Sequence, residues 1–256
     1  MRTRYAFAGA FLICFLVTGL VYSLLDPGAQ DRLVDWASTN VANLEHEPVL
    51  PLLMSAFVAP GYIVTWPALI ALALFGANRA LGNGRIALVC LAGHVIGTGV
   101  SEGIVAYRVD AGQLSAASRH LTDVGPSYVV VSAVVIALAL GTWLARALAA
   151  VDLVILVFPG AIFGGLSQLD VAAVGHLTAM LTAAVAAAFI LIRRRGRRTS
   201  GGDMAHGGAD AEGDRGGGGA QDQLAQSAAP ERAVGQPGHH PAADHGGDGG
   251  EPERDA

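Results

Sequence analysis

Long apolar runs alternate with short polar segments over the first 198 residues of the chain. A hydrocarbon core of about 30 Å takes roughly 20 helical residues at 1.5 Å each. Residues 5–25 supply 21 in a row without a charge, behind Arg2 and Arg4. A signal peptide has a similar basic start but an apolar core of only about 7–15 residues, and here more runs follow, so the segment reads as an uncleaved first helix. Residues 26–47 are polar, with Asp31, Asp35, Glu45 and Glu47, and belong in water. The next uncharged stretch, 48–78, is 31 residues long and is broken by Pro48, Pro51, Pro60 and Gly61. It divides into a short segment at the membrane edge (49–58) and a second span (62–77).

A tight turn at 81–84, bracketed by Arg79 and Arg85, leads to a third span over 86–105 that carries His94 and Glu102. A polar loop occupies 108–122. The pattern then predicts a fourth span over 124–145, with Asp123 as its N-cap, Pro126 in its first turn and Arg146 at its end. A short fifth span follows at 153–166. The sixth covers 171–192 and stops at five arginines between 193 and 198. The fold class expected is an all-α membrane protein of six spans, in two parts: a membrane domain at 1–198 and a tail at 199–256.

Composition agrees and narrows the function. Of 256 residues 52% are apolar and only 14% charged, where soluble domains carry about 25% charge. A soluble enzyme, a nucleic-acid binder and a secreted disulfide scaffold are not expected. Cys14 and Cys90 lie inside apolar runs and form no metal or disulfide pattern, so no metal and no cofactor is expected. The net charge of −5 averages two unlike regions. Residues 1–198 hold 13 arginines against 10 acids, and 199–256 hold 3 against 11. With 15 glycines and almost no large apolar side chains, the tail lacks the burial needed to offset ordering and is expected to be disordered. Its histidines, His206, His239, His240 and His245, read as part of a solvated segment. Arginines enrich cytoplasmic loops. With the N-terminus inside, ten of the first 13 fall on that side and three, Arg32, Arg108 and Arg119, outside. Both termini are therefore expected in the cytoplasm of a multi-pass cell-membrane protein.

Polar side chains inside spans need a reason. Ser127 lies in the first turn of the fourth span and His176 five residues into the sixth, and both spans enter from the same face. At 1.5 Å per residue the two sit at matched depth, as a serine nucleophile and its general base require. Gly125 permits close backbone approach, and the uncapped N–H groups of Ser127 and Tyr128 can serve as oxyanion donors. The plainer alternatives are a helix-start serine and a histidine bonded between helices. His94, with Ser101 and Glu102, reads as interhelical bonding rather than a proton path. Gly175, Ala179 and Ala183 form a small-residue stripe that favours close packing, plausibly on the fourth helix.

This layout resembles the rhomboids, a family of intramembrane serine proteases, over most of residues 5–192. The resemblance rests on the six spans, the long first loop with its membrane-edge segment, and the Arg79-Ala80-Leu81-Gly82-Asn83-Gly84-Arg85 turn. It rests also on Gly125-Pro126-Ser127-Tyr128 against the family's Gly-x-Ser-Gly, and on Gly175-His176-Leu177-Thr178-Ala179 early in the sixth span. It implies a Ser127–His176 dyad acting on transmembrane segments of other proteins within the lipid bilayer. The chain departs from the family where a histidine and an asparagine usually help hold the oxyanion. Those positions fall near Tyr62 and Trp66, of which Tyr62 can donate one hydrogen bond. The family's Trp-Arg pair in the first loop is missing, and Tyr128 replaces the glycine after the serine. The family also includes inactive members that bind transmembrane helices without cutting them, which is the alternative reading.

Overall fold

A computed structural model describes residues 4–61, 64–158 and 160–206, with the backbone alone over 197–206. Among these the chain is helical, with no strand. The helices are α1 (Ala6–Leu24), α2 (Pro27–Ala37), α3 (Val41–His46), α4 (Val49–Met54), α5 (Thr65–Leu81), α6 (Asn83–Asp110), α7 (Ser127–Leu140), α8 (Trp143–Val157) and α9 (Val171–His206). The polar first loop is itself helical. Asp26 caps α2 through its carboxylate to the Ala29 amide at 3.0 Å, and Asn40 caps α3 through Asn43 at 2.9 Å. The membrane-edge segment is α4 followed by a single 3₁₀ turn, Ser55–Phe57.

Three helices, Ala6–Leu24, Asn83–Asp110 and Val171–Gly196, are long and apolar enough to cross a membrane. Their large side chains point outward: Ile13, Val17 and Leu20 on α1, Leu88 and Leu91 on α6, Leu181, Val185 and Phe189 on α9. The interior combines buried aliphatic side chains such as Ile70, Leu74, Ile86 and Ile136 with small ones at helix contacts, among them Ala73, Ala77, Ala133, Ala179 and Ala183. Apolar outside with small residues at helix contacts is the arrangement of a protein solvated by lipid. The other three principal helices, α5, α7 and α8, have 17, 14 and 15 residues. Helix α7 is central, packed by α5, α6, α8 and α9, and so is buried nearly all round.

Several expected boundaries move. The run read as one fourth span is two helices, parted at Gly141 and Thr142. Gly141 lies so close to the Ala137 carbonyl that a Cβ there would overlap it, and Thr142 caps α8 through the Ala145 amide at 3.4 Å. Arg146 therefore does not end a helix; it sits in the first turn of α8 and donates to the Ala139 carbonyl of α7 at 3.3 Å. The fifth helix begins at Trp143 and stops at Val157, rather than covering 153–166. Asp123 is not an N-cap either, since Pro126 holds that position and no side chain caps α7. The α9 backbone continues to His206, past the expected boundary at 198; the tail at 207–256 lies outside the described residues.

The start of α1 has no cap of its own. Buried Asn78 of α5 supplies one from across the fold: its Oδ1 accepts from the Ala8 amide at 3.1 Å, and its Nδ2 donates to the Arg4 carbonyl at 3.1 Å and to Asn83 Oδ1 at 3.0 Å. Asn83 Oδ1 also accepts from the Phe7 amide at 3.2 Å. The α5–α6 turn thus anchors α1. Asn78→Leu is expected to destabilise the protein by about 1–3 kcal/mol for each buried group it orphans. Thermal unfolding of the detergent-purified protein checks this; an unchanged midpoint would show that the bonds anchor nothing.

Candidate active site

The strand of chain leading into α7 is held by the first loop. Thr39 donates its amide to the Asp123 carbonyl at 2.9 Å, and the Asp123 amide donates to Ser38 Oγ at 2.9 Å. The Gly125 amide donates to the Ser55 carbonyl at 2.8 Å. Gly125 has φ +135°, a conformation open to glycine and strained for any side chain. After Pro126 the helix begins at Ser127. The serine is therefore the first helical residue and not the cap; its hydroxyl makes no hydrogen bond among the described residues and is not spent on local structure.

His176 lies one and a half turns into α9, whose start is capped by Asp170 through the Ala172 amide at 3.1 Å. Its Nδ1 is 2.9 Å from the Ile162 carbonyl. A carbonyl can only accept, so Nδ1 carries the proton and Nε2 keeps its lone pair. Nε2 is buried, in a residue 5% exposed, and bonds to nothing. The ring packs edge-on against Tyr128 at 5.2 Å between centroids. Tyr128 fills the space between α6 and α9, where a Cβ on Gly175 would overlap its hydroxyl. That hydroxyl donates to Asp123 Oδ2 at 3.1 Å, which also accepts from Thr39 Oγ1 at 3.2 Å.

Ser127 and His176 line one cavity of about 470 Å³, walled by Thr65, Trp66 and Leu69 of α5, Ile155 and Leu156 of α8, Ile162, and residues 122–124. The expected pair therefore shares a cavity, but Ser127 Oγ and His176 Nε2 make no hydrogen bond. Trp66 is in the wall; Tyr62 lies outside the described residues. The small-residue stripe on α9 is buried as expected, but it faces α6 as well as α7: Gly97 and Gly175 bring the α6 and α9 backbones together, while Ser132 of α7 donates to the Ala179 carbonyl at 3.5 Å.

A second serine–histidine pair occurs away from the cavity. His94 Nε2 is 3.2 Å from Ser55 Oγ and 2.8 Å from the Leu52 carbonyl. The carbonyl again assigns the proton, here to Nε2, so this nitrogen has no lone pair to offer Ser55. The pair pins the α4 segment to α6, the bonding role expected of His94.

Three acids were missed or undervalued in the sequence. Asp123 lines the cavity instead of capping a helix. Burial pushes its carboxyl up to about 6, against the Tyr128 and Thr39 hydroxyls, which lower it, and with Asp170 adding to the rise. Glu102 of α6, 3% exposed, approaches the Val41 amide without closing a hydrogen bond of good geometry. Asp152 falls between the expected fourth and fifth spans; it lies within α8, fully buried, with neither oxygen paired. Splitting the 124–145 run at Gly141–Thr142 would have revealed Asp152 as an intrahelical acid. No cluster of metal-binding side chains occurs among the described residues.

No curated protein and no solved structure matches this chain. A family model described as rhomboid-like protein matches residues 5–198. That match takes in every principal helix and the whole cavity, and by it this membrane protein belongs to the rhomboid-like family.

Proposed function

We propose that the chain is an intramembrane serine endopeptidase with Ser127 as nucleophile and His176 as general base. The carrying observation is the unpartnered, buried Nε2 of His176 in the cavity that Ser127 lines. The Ile162 carbonyl does for this imidazole what an acid does in a triad: it selects the tautomer and orients the ring. In the reaction, Ser127 Oγ bonds to a carbonyl carbon of an unwound transmembrane segment as its proton passes to Nε2. The C–N bond then breaks, and the same proton goes to the departing amine. Water, deprotonated by Nε2, releases the acyl group and regenerates Ser127. Backbone N–H groups of Ser127 and Tyr128, left uncapped at the α7 start, face the developing oxyanion charge, helped by the helix dipole. Tyr62 adds one further donor in this reading.

One observation favours the alternative, an inactive rhomboid-like protein that binds transmembrane helices: Ser127 and His176 are not hydrogen-bonded. Catalytic hydrogen bonds often tighten only around substrate, so the two readings part on chemistry. Ser127→Ala and His176→Ala are each expected to lower cleavage of a single-span substrate at least about 10³-fold, with the double variant no worse than either single one. Fluorophosphonate labelling of Ser127 should require His176, because an unassisted hydroxyl is a poor nucleophile. Wild-type protein that is neither labelled nor cuts any helix would leave the binding role.

In the same reading α5, α7 and α8 complete six crossings of the cell membrane, and both termini are cytoplasmic. The ten-to-three arginine asymmetry supports this orientation. Reporter fusions at residue 40 and after residue 256 should report opposite sides of the membrane. Signals from the same side would refute six crossings.

A further inference from the structure

The cavity holds one carboxylate, Asp123, and the fold gives it no counter-charge. Its Oδ2 accepts from Tyr128 and Thr39, while its Oδ1 accepts no hydrogen bond among the described residues. Two further acids stand within electrostatic reach, Glu102 on α6 and Asp170 at the start of α9. Among the described residues the ion pairs belong to Arg119, which joins Glu45 and Asp110 on the exposed loop. Asp123 thus lines a cavity whose other walls are apolar or neutral, and among the described residues no cation pairs with it. Independently, His176 lines the same cavity and carries a buried ring nitrogen, Nε2, without a partner.

We propose that Asp123 is a recognition site for a basic side chain, arginine or lysine, carried by the transmembrane segment that enters the cavity. The inference rests on the reading of the cavity as a site for such segments, whether or not they are cut. Asp123 precedes Ser127 by four residues, so the basic residue lies within a few positions of the peptide bond presented to Ser127. A cation there neutralises Asp123 and satisfies Oδ1. Neutral ligands leave that charge uncompensated, and acidic ones add to it.

The pH dependence has a definite sign. Asp123 is raised to about 6, so its preference for cations holds at neutral pH and is lost as pH falls below that value. Tyr128 of α7 and the two neighbouring acids all face it, with His176 beyond Tyr128. A basic and an uncharged ligand compared at each pH share whatever those groups do, and their ratio isolates the charge on the ligand.

The test uses the full-length protein in detergent and dye-labelled single-span peptides. In these an arginine, glutamine or glutamate is walked across six positions at the non-cytoplasmic end. At one or two positions the arginine peptide should bind about tenfold or more tighter than the glutamine peptide at pH 7.5, and the glutamate peptide more weakly than both. That ratio should collapse toward one at pH 5 and in Asp123→Asn, which keeps an acceptor oxygen for Tyr128 and Thr39. Should the variant fail to fold, the wild-type ratio at the two pH values decides. Peptides bound equally whatever their charge, or a preference that persists in Asp123→Asn, overturn the assignment of Asp123 alone. Failure of any peptide to bind overturns also the reading of the cavity.

Discussion

Tyr128 is the constraint around which the site is arranged. It can stand between α6 and α9 because Gly97 and Gly175 present no side chain there, and a Cβ at Gly175 would occupy the place of its hydroxyl. Its ring meets His94 on one side, at 5.9 Å between centroids, and His176 on the other. Its hydroxyl ends on Asp123. One residue thereby couples the depth of α7, the spacing of α6 and α9, and the orientation of the cavity histidine. A smaller side chain at that buried position would leave a void between α6 and α9, and close-packed interiors relax only partly around voids.

The first loop completes the arrangement. Ser38, Thr39 and Ser55 hold the chain from Asp123 to Gly125 through backbone groups that otherwise would be buried without partners. Ser55 works twice, accepting from the Gly125 amide through its carbonyl and meeting His94 through its hydroxyl. Ser127 is thus delivered by a segment tied down on both sides, yet its own hydroxyl is left unbonded. The division between structural and available polar groups is sharp. His94 has its Nε2 proton committed to a carbonyl, whereas His176 has the carbonyl on Nδ1 and its buried Nε2 without a partner. The same two elements, histidine and backbone carbonyl, commit Nε2 in one place and leave it unpaired in the other, according to which ring nitrogen meets the carbonyl.

Buried carboxylates set this bundle apart from a simply apolar one. Removing such groups from water is costly unless partners or protons compensate. Asp123 is partly compensated by two hydroxyls, while Asp152 finds no partner within α5, α7 and α8, the helices around it. Groups retained at such cost in an otherwise apolar interior are where function concentrates.

Much of this was legible in the order of residues alone. Runs of apolar residues located α1, α5, α6 and the start of α9 to within a few positions, because a lipid-facing helix must be continuously apolar over most of its length. Equal depth on two helices entering from one face brought Ser127 and His176 to one cavity, since rise per residue is fixed. The division between α7 and α8 was hidden, because Gly141 is an apolar-looking residue inside an apolar run and only its crowding against Ala137 marks the break. Asp152 was hidden with it. The tautomer of each histidine, the wedge made by Tyr128 and the exposure of Asp123 to the cavity are decided by partners far away in sequence. Ile162, Leu52, Gly175 and Thr39 are those partners. A pattern read along the chain reports periodicity and length; which lone pair is free depends on which distant atom lies within 3 Å of it, and that is settled only when the helices pack.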